Sequence, residues 1–311
     1  MECNNFILGI DIGTSSVKMS LIDERTLQVK ESKCCSYEFN SKNENNNFAQ
    51  QNAESILNAI QSTLNSFSTG FAQHVKCIAI CGQMHGVILW QKNAYKYDAV
   101  SNKYIIDTTK VSDLYTWQDK RCDEQFLQSL PESSVRVATG YGCATIFWLL
   151  RNQKEFLAKF NACGTIMDFV VTMICDLQTG VISLQNAASF GFCDPTTKTW
   201  NIASYSLQKA NFPVDILPQI VNAETFHLSL ANKWLSIPSK TKVFVAFGDT
   251  QCAVYSAIRN RTEIAVQSLK QIEVLNAGTS MQLCLSMTDK NKINVNLDSI
   301  DLFPYFENKF L

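Results

Sequence analysis

Four short stretches of this sequence carry residue types suited to polar chemistry, three of them at the end of an apolar run. The first is "GIDIGTSSVK" at residues 9–18, with Asp11 ahead of Gly13-Thr14-Ser15 and Lys18 just beyond. Gly13 permits a tight turn because it has no Cβ to clash. Exposed backbone N–H groups and the hydroxyls of Thr14 and Ser15 can donate to phosphate oxygens, and Lys18 adds positive charge. Asp11 offers the oxygen ligand that Mg²⁺ prefers, directly or through water. A plain β-hairpin with glycine in its turn explains the same residues as well. Neither a Walker A loop nor a G-x-G-x-x-G fingerprint is present, so the two commonest nucleotide signatures do not apply.

Asp249 is the sharper signal. It follows the apolar run Val243–Phe247 and Gly248, and it precedes a helix expected from about Thr250. A carboxylate there faces a helix N-terminus, whose partial positive charge favours the ionised form. Such a group at a strand end can take a proton from an alcohol. A purely structural N-cap is the competing explanation. "GQMHG" at 82–86 sets Gln83, Met84 and His85 in a turn between two apolar strands, a natural ligand-facing position. "TWQDKR" at 116–121 offers Trp117, Gln118, Asp119 and Arg121, an aromatic face with carboxylate and amide groups of the kind that bind sugars. An exposed helix start with a solvated Asp119–Arg121 pair fits that stretch equally well.

Strands and helices in alternation must position these residues. Strands are expected across residues 6–39, and a polar Asn-rich surface loop at 40–52. Residues 53–67 carry Ile56, Leu57, Ile60, Leu64 and Phe67 at helical spacing. "CATIFWLLRNQKEFLAKF" reads as one helix. "DFVVTMICDL" reads as another, with Asp168 as its N-cap and Gly180 just past its end. A loop-rich region with four prolines spans about 185–240, and "KVFVAFGDTQCAVYSAI" gives strand, turn and helix. The alternation predicts a layered α/β protein. Aligning "GIDIGTSSVKMSLI" with "VLNAGTSMQLCLSM" reveals an imperfect internal repeat, centred on Gly13-Thr14-Ser15 and Gly278-Thr279-Ser280. It suggests two similar hairpins, one from each of two domains.

The bulk numbers narrow the function classes. The chain has 311 residues, 46% hydrophobic and 18% charged, with a formal net charge of −1. That composition is globular, and it lacks the basic excess expected of a nucleic-acid or anionic-membrane binder. No apolar stretch approaches the roughly 20 residues of a membrane span, and no signal peptide is evident. The twelve cysteines are scattered, with no C-x-x-C pair, so reduced thiols in a cytoplasmic protein are expected rather than zinc.

Taken together and in this order, these stretches resemble the FGGY carbohydrate kinase family. "GYGCATIFWLL", "GTIMDFVV", "QNAASFGF", "GDTQCAVYSA" and "FPYF" add to the likeness, which runs from residue 9 to residue 306. The resemblance implies an actin-like (ribonuclease H-like) ATPase fold of two domains, with ATP and Mg²⁺ in the cleft between them. It implies Asp11, Gly13, Thr14, Ser15 and Lys18 in a first phosphate motif and Gly278 and Thr279 in a second. Met84, His85, Trp117, Asp119 and Thr250 would contact the sugar. Asp249 would be the catalytic base, and Asp11 the residue that holds the metal. The implied reaction moves the γ-phosphoryl of ATP to the terminal hydroxyl of a ketose, with sedoheptulose favoured over xylulose. Residues 1–241 are expected to form the first domain and 242–311 the opening strands of a second, incomplete one. That incompleteness motivates an alternative, a catalytically inactive sugar-binding or regulatory protein. A chaperone- or actin-type ATPase would have no need for "GQMHG" and "WQDKR". The oligomeric state is left open by the sequence.

Overall fold

The computed structural model describes residues 5–37, 47–68, 70–201, 207, 210–223, 225–259, 273–277, 281–286, 303–306, 309 and 311. Its centre is a seven-stranded mixed sheet. The strands are β1 (Phe6–Ile12), β2 (Ser16–Asp23), β3 (Val29–Ser36), β4 (Val75–Gly82), β5 (His227–Ser229), β6 (Lys242–Phe244) and β7 (Phe247–Gly248). The order is β5-β6-β4-β1-β2-β3, with β7 pairing further along β4. β4 runs parallel to β1, β6 and β7, while β1–β2 and β2–β3 are antiparallel hairpins. Leu8, Ile10 and Ile12 alternate into the core along β1, as the period of two requires.

Five helices matter to the argument: α1 (Ala53–Asn65), α2 (Gly142–Asn152), α3 (Ile166–Ile174), α4 (Leu184–Phe190) and α5 (Asp249–Arg259). α1 starts where Asn52 accepts a hydrogen bond from Ser55 N at 2.9 Å, and it buries Ile56, Leu57, Ile60 and Leu64. The expected single helix after Cys143 instead breaks at Gln153, whose extended φ of −142° ends α2 before a short turn at Lys154–Leu157. "QNAAS", expected within a loop region, is helical as part of α4. Ser183 caps it by accepting from Asn186 N at 3.3 Å. One apolar core lies under the sheet, and a second is built on Phe147, Phe190 and Phe192. Among the described residues no helix is long and apolar enough to cross a membrane.

The division expected after residue 241 falls beside β6 and β7, which belong to the same sheet as β1 and β4. The N-cap of α3 is Thr165 rather than Asp168, and the helix ends at Cys175, short of Gly180. Thr165 Oγ1 accepts from Asp168 N at 3.2 Å, while Thr165 N and Oγ1 donate to Asp168 Oδ2 at 3.0 and 2.7 Å, a complete capping box.

Asp168 is wholly buried, and its other oxygen has no partner; neither does the Thr172 hydroxyl one turn on. Burial pushes Asp168 up to about 7, against the bonds from Thr165 that pull it down. A carboxyl raised in the fold favours folding fully below its unfolded value near 4, and that contribution is lost as pH rises through 7. Asp168→Asn is therefore expected to gain about 1–3 kcal/mol over wild type at pH 8 and almost nothing at pH 4. Urea unfolding at the two pH values checks this; equal gains at both would contradict it.

Candidate active site

In-register strand pairing builds the floor of the site. Asp11 on β1 faces Cys81 on β4, which faces Phe247 on β7; one residue on, Ile12, Gly82 and Gly248 align in the same way. A Cβ on Gly82 would collide with the Ile12 backbone, so the strands close up here only because residue 82 is glycine. α5 begins directly after β7, and its first residue, Asp249, therefore emerges at the same sheet end as Asp11. Asp249 Oδ1 accepts from Thr250 N at 2.7 Å. Burial pushes Asp249 up to about 6; the Thr250 bond opposes this, and the charge of Asp11 adds to it. Burial likewise raises Asp11, while Lys18 Nζ, 3.8 Å from Oδ2, lowers it. Asp11 Oδ1 is buried without a hydrogen-bond partner. Two raised carboxylates and an orphaned oxygen form a donor set that suits a hard cation.

The β1–β2 turn is held from outside. Gly13 N donates to Ser16 O at 3.0 Å and closes the turn. The Tyr37 hydroxyl donates to Gly13 O, as does Gln83 Nε2 at 3.3 Å. Gln51 Nε2 donates to Thr14 O, Gln83 Nε2 also donates to Gln51 Oε1 at 3.0 Å, and Tyr37 N reaches Ser15 O at 3.1 Å. The carbonyls of residues 13, 14 and 15 are thus all occupied within the protein. Trp117 Nε1 donates to Thr14 Oγ1 at 3.0 Å, so the hydrogen of that hydroxyl points elsewhere. Ser15 is exposed at the tip.

His85 sits in left-handed backbone with φ of 72°, at the centre of a turn closed by Gly86 N donating to Met84 O at 2.8 Å. Such a conformation is strained for a non-glycine residue and needs support. The ring stacks on Tyr141 at 4.4 Å, its Nδ1–H donates to Ser189 O of α4 at 2.9 Å, and Gly142 N donates to its carbonyl at 2.8 Å. Phe303 lies edge-on to the same ring at 6.0 Å. Met84 is buried against Gly248, where any Cβ would strike its sulfur.

Asp119 does not join this group. It is 0% exposed, accepting from Ala49 N at 2.9 Å and from Arg121 Nε and Nη2 at 2.7 and 2.9 Å. The Arg121 guanidinium is itself enclosed by the rings of Phe48, Tyr115 and Trp148 at 4.5, 4.4 and 5.0 Å. The expected sugar contact by Asp119 and the alternative of a solvated pair both give way to a buried, bidentate ion pair, because a desolvated carboxylate needs every oxygen satisfied. The pair shapes the turn that presents Trp117, and Gly140, at φ 78°, packs so tightly on the Trp117 carbonyl that a Cβ would not fit.

The second hairpin exists as strands. β8 (Glu273–Ala277) and β9 (Met281–Leu285) pair antiparallel, and Thr250 Oγ1 donates to Gln282 Oε1 at 3.5 Å. Gly278 and Thr279 themselves lie outside the described residues. The structure therefore brings Asp11, Gly13, Thr14, Ser15, Lys18, Met84, His85, Trp117, Asp249 and Thr250 around one sheet end and leaves Asp119 behind it. Sequence reasoning missed Tyr37 and Gln51. Gln51 looked like part of a polar loop, and only the pairing of Gln50–Gln51 with Leu114–Tyr115 reveals its place. Arg121→Ala is expected to destabilise the protein by about 3–5 kcal/mol in urea unfolding, because it strands a buried charge. A loss below about 1 kcal/mol, the size seen for exposed pairs, would contradict that reading.

Residues 6–256 match the family model for the FGGY family of carbohydrate kinases, N-terminal domain. The sedoheptulokinase of Mus musculus is 36% identical over 317 residues, spanning 98% of this chain and 64% of the relative. That of Homo sapiens is 36% identical over 326 residues, spanning 100% and 66%. The chain thus spans about two thirds of the length of these relatives. The crystal structure of xylulose kinase from Rhodospirillum rubrum superposes with a TM-score of 0.76 over 98% of this chain and 60% of that one, at 14% identity. The fold is therefore the actin-like fold of these sugar kinases, and the chain belongs to the FGGY family of carbohydrate kinases.

Proposed function

We propose that this chain serves an ATP-dependent kinase that phosphorylates the terminal hydroxyl of a ketose, sedoheptulose before xylulose. The observation that carries the reading is Asp249: a half-buried carboxylate at a helix start, within electrostatic reach of Asp11 and flanked by two hairpins. Sedoheptulose is preferred because two sedoheptulokinases match at 36% identity, against 25% for the xylulose kinase of Lactococcus lactis.

In this reading the sugar lies against Met84, His85 and Trp117. Its reacting hydroxyl hydrogen-bonds to Asp249, which accepts the proton as the oxygen attacks phosphorus. The Thr14 and Ser15 hydroxyls, the turn N–H groups and Lys18 stabilise charge on the transferring group. Gly278 and Thr279 are assigned the matching role on the second hairpin. Asp11, with its unpartnered oxygen, would hold Mg²⁺, whose contribution when bound is to neutralise phosphate charge. The buried floor limits water at the reacting atoms and so disfavours idle ATP hydrolysis. The first domain is assigned to residues 1–241, and the protein is assigned to the cytoplasm.

A coupled ADP-release assay with sedoheptulose and xylulose tests this. Asp249→Asn is expected to lower sugar-dependent release by about 10²–10⁴-fold, the usual worth of a positioned base. Undiminished turnover in that variant would assign the base elsewhere. A preference for xylulose would reverse the substrate order. Because only ionised Asp249 can take the proton, kcat/KM is expected to rise with pH through about 6 and level off above 7. A rate that falls across that interval would contradict the assignment.

A further inference from the structure

One ladder of backbone pairing grips Thr14 at two atoms. Val87, just past the Gly82–Gly86 turn, exchanges hydrogen bonds with Tyr115 at 2.9 and 2.8 Å. Leu114–Tyr115 pairs in turn with Gln50–Gln51. From this ladder Gln51 Nε2 donates to Thr14 O, and Trp117 Nε1 donates to Thr14 Oγ1 at 3.0 Å. Trp117 has little room to shift. On one side Thr116 N and Oγ1 donate to Ala49 O at 3.0 and 3.1 Å; on the other Asp119 Oδ2 accepts from Ala49 N at 2.9 Å. Gly140 closes on the Trp117 carbonyl. The indole is half-buried, so its N–H serves the turn while part of the ring stays exposed. The Thr14 hydroxyl has one proton and two lone pairs, and the indole fills one lone pair. A donor oriented beforehand stabilises developing charge better than one that must turn during the reaction.

We propose that Trp117 is a positioning residue for phosphoryl transfer: its indole N–H fixes the Thr14 hydroxyl so that the hydroxyl proton is presented to a phosphate oxygen. This role rests on the kinase reading above and is separate from the contact with sugar given there to the ring. One side chain then serves both substrates, the ring the ketose and the N–H the phosphate turn. Trp117→Phe separates the two, because phenylalanine keeps an aromatic face and has no N–H. If Trp117 acts through Thr14, its N–H is worth nothing once the Thr14 hydroxyl is gone. A stacking or purely structural role has no such dependence, so the two losses would then multiply.

The test is a double-mutant cycle on the 311-residue chain, read by sugar-dependent ADP release. Trp117→Phe is expected to lower kcat about tenfold, the worth of one hydrogen bond. Thr14→Val is expected to lower it about 10²-fold, the worth of one donor to developing charge. The double variant is expected to be no slower than Thr14→Val. Losses that multiply would overturn the proposal, and so would a Trp117→Phe variant whose defect lies in the sugar KM alone with kcat unchanged. The bond itself is read without nucleotide or sugar, in a ¹H–¹⁵N spectrum where the indole signal missing from Trp117→Phe identifies Trp117. That signal is expected to move upfield and exchange faster with solvent in Thr14→Val, and to stay in place in Thr14→Ser, which keeps the hydroxyl. An indole signal unmoved in Thr14→Val would overturn the bond. If the wild-type chain releases no ADP with any sugar, the kinase reading fails, and the indole signal still decides whether Trp117 holds Thr14.

Discussion

Two carboxylates that repel each other, Asp11 and Asp249, are held at one sheet end by strand register, and the rest of the site depends on that placement. Parallel pairing of β1, β4 and β7 fixes where each strand stops, and the immediate start of α5 fixes where Asp249 emerges. Burial raises both groups toward neutrality, and Lys18 offsets only part of the cost because its own end is 63% exposed. A site short of positive charge is poised for a cation and for the proton of an alcohol. The strain is carried by the apolar core under the sheet, where Leu8, Ile10, Ile12, Ile78 and Ile80 are at most 2% exposed.

The β1–β2 turn shows the same economy. Tyr37, Gln51 and Gln83 occupy its carbonyls, and Trp117 occupies one lone pair of the Thr14 hydroxyl. What is left to face the cleft is donors, and donors are what phosphate oxygens require. Trp117 and Gln83, which brace the hairpin, come from the same two stretches proposed to meet the sugar.

Much of this was legible in the sequence, for physical reasons that differ by element. β1, β2 and α1 were legible because their periodicity is clean. Asp249 was legible because strand, glycine and helix follow one another directly. The cap of α3 was misread: Asp168 and Thr165 are both good cap residues, and only the reciprocal bonds assign their order. Asp119 was misread because spacing does not report burial. What encloses Arg121 is Phe48, Tyr115 and Trp148, distant in sequence and brought together by the fold. Gln51 and Tyr37 carried no signal at all, since an amide or phenol becomes a brace only when a carbonyl needs one nearby. The internal repeat anticipated the β8–β9 hairpin, and the Thr250–Gln282 bond sets that hairpin beside Asp249.

The central claim is that Asp11 and Asp249 share one electrostatic site. Carboxyl ¹³C chemical-shift titration of the wild-type chain and of Asp11→Asn, with no sugar or nucleotide present, tests it most directly. Asp249 is expected to titrate near 6 in the wild type and at lower pH once the neighbouring negative charge is removed. An Asp249 titration that does not move in Asp11→Asn would place the two carboxylates in separate environments and contradict the account.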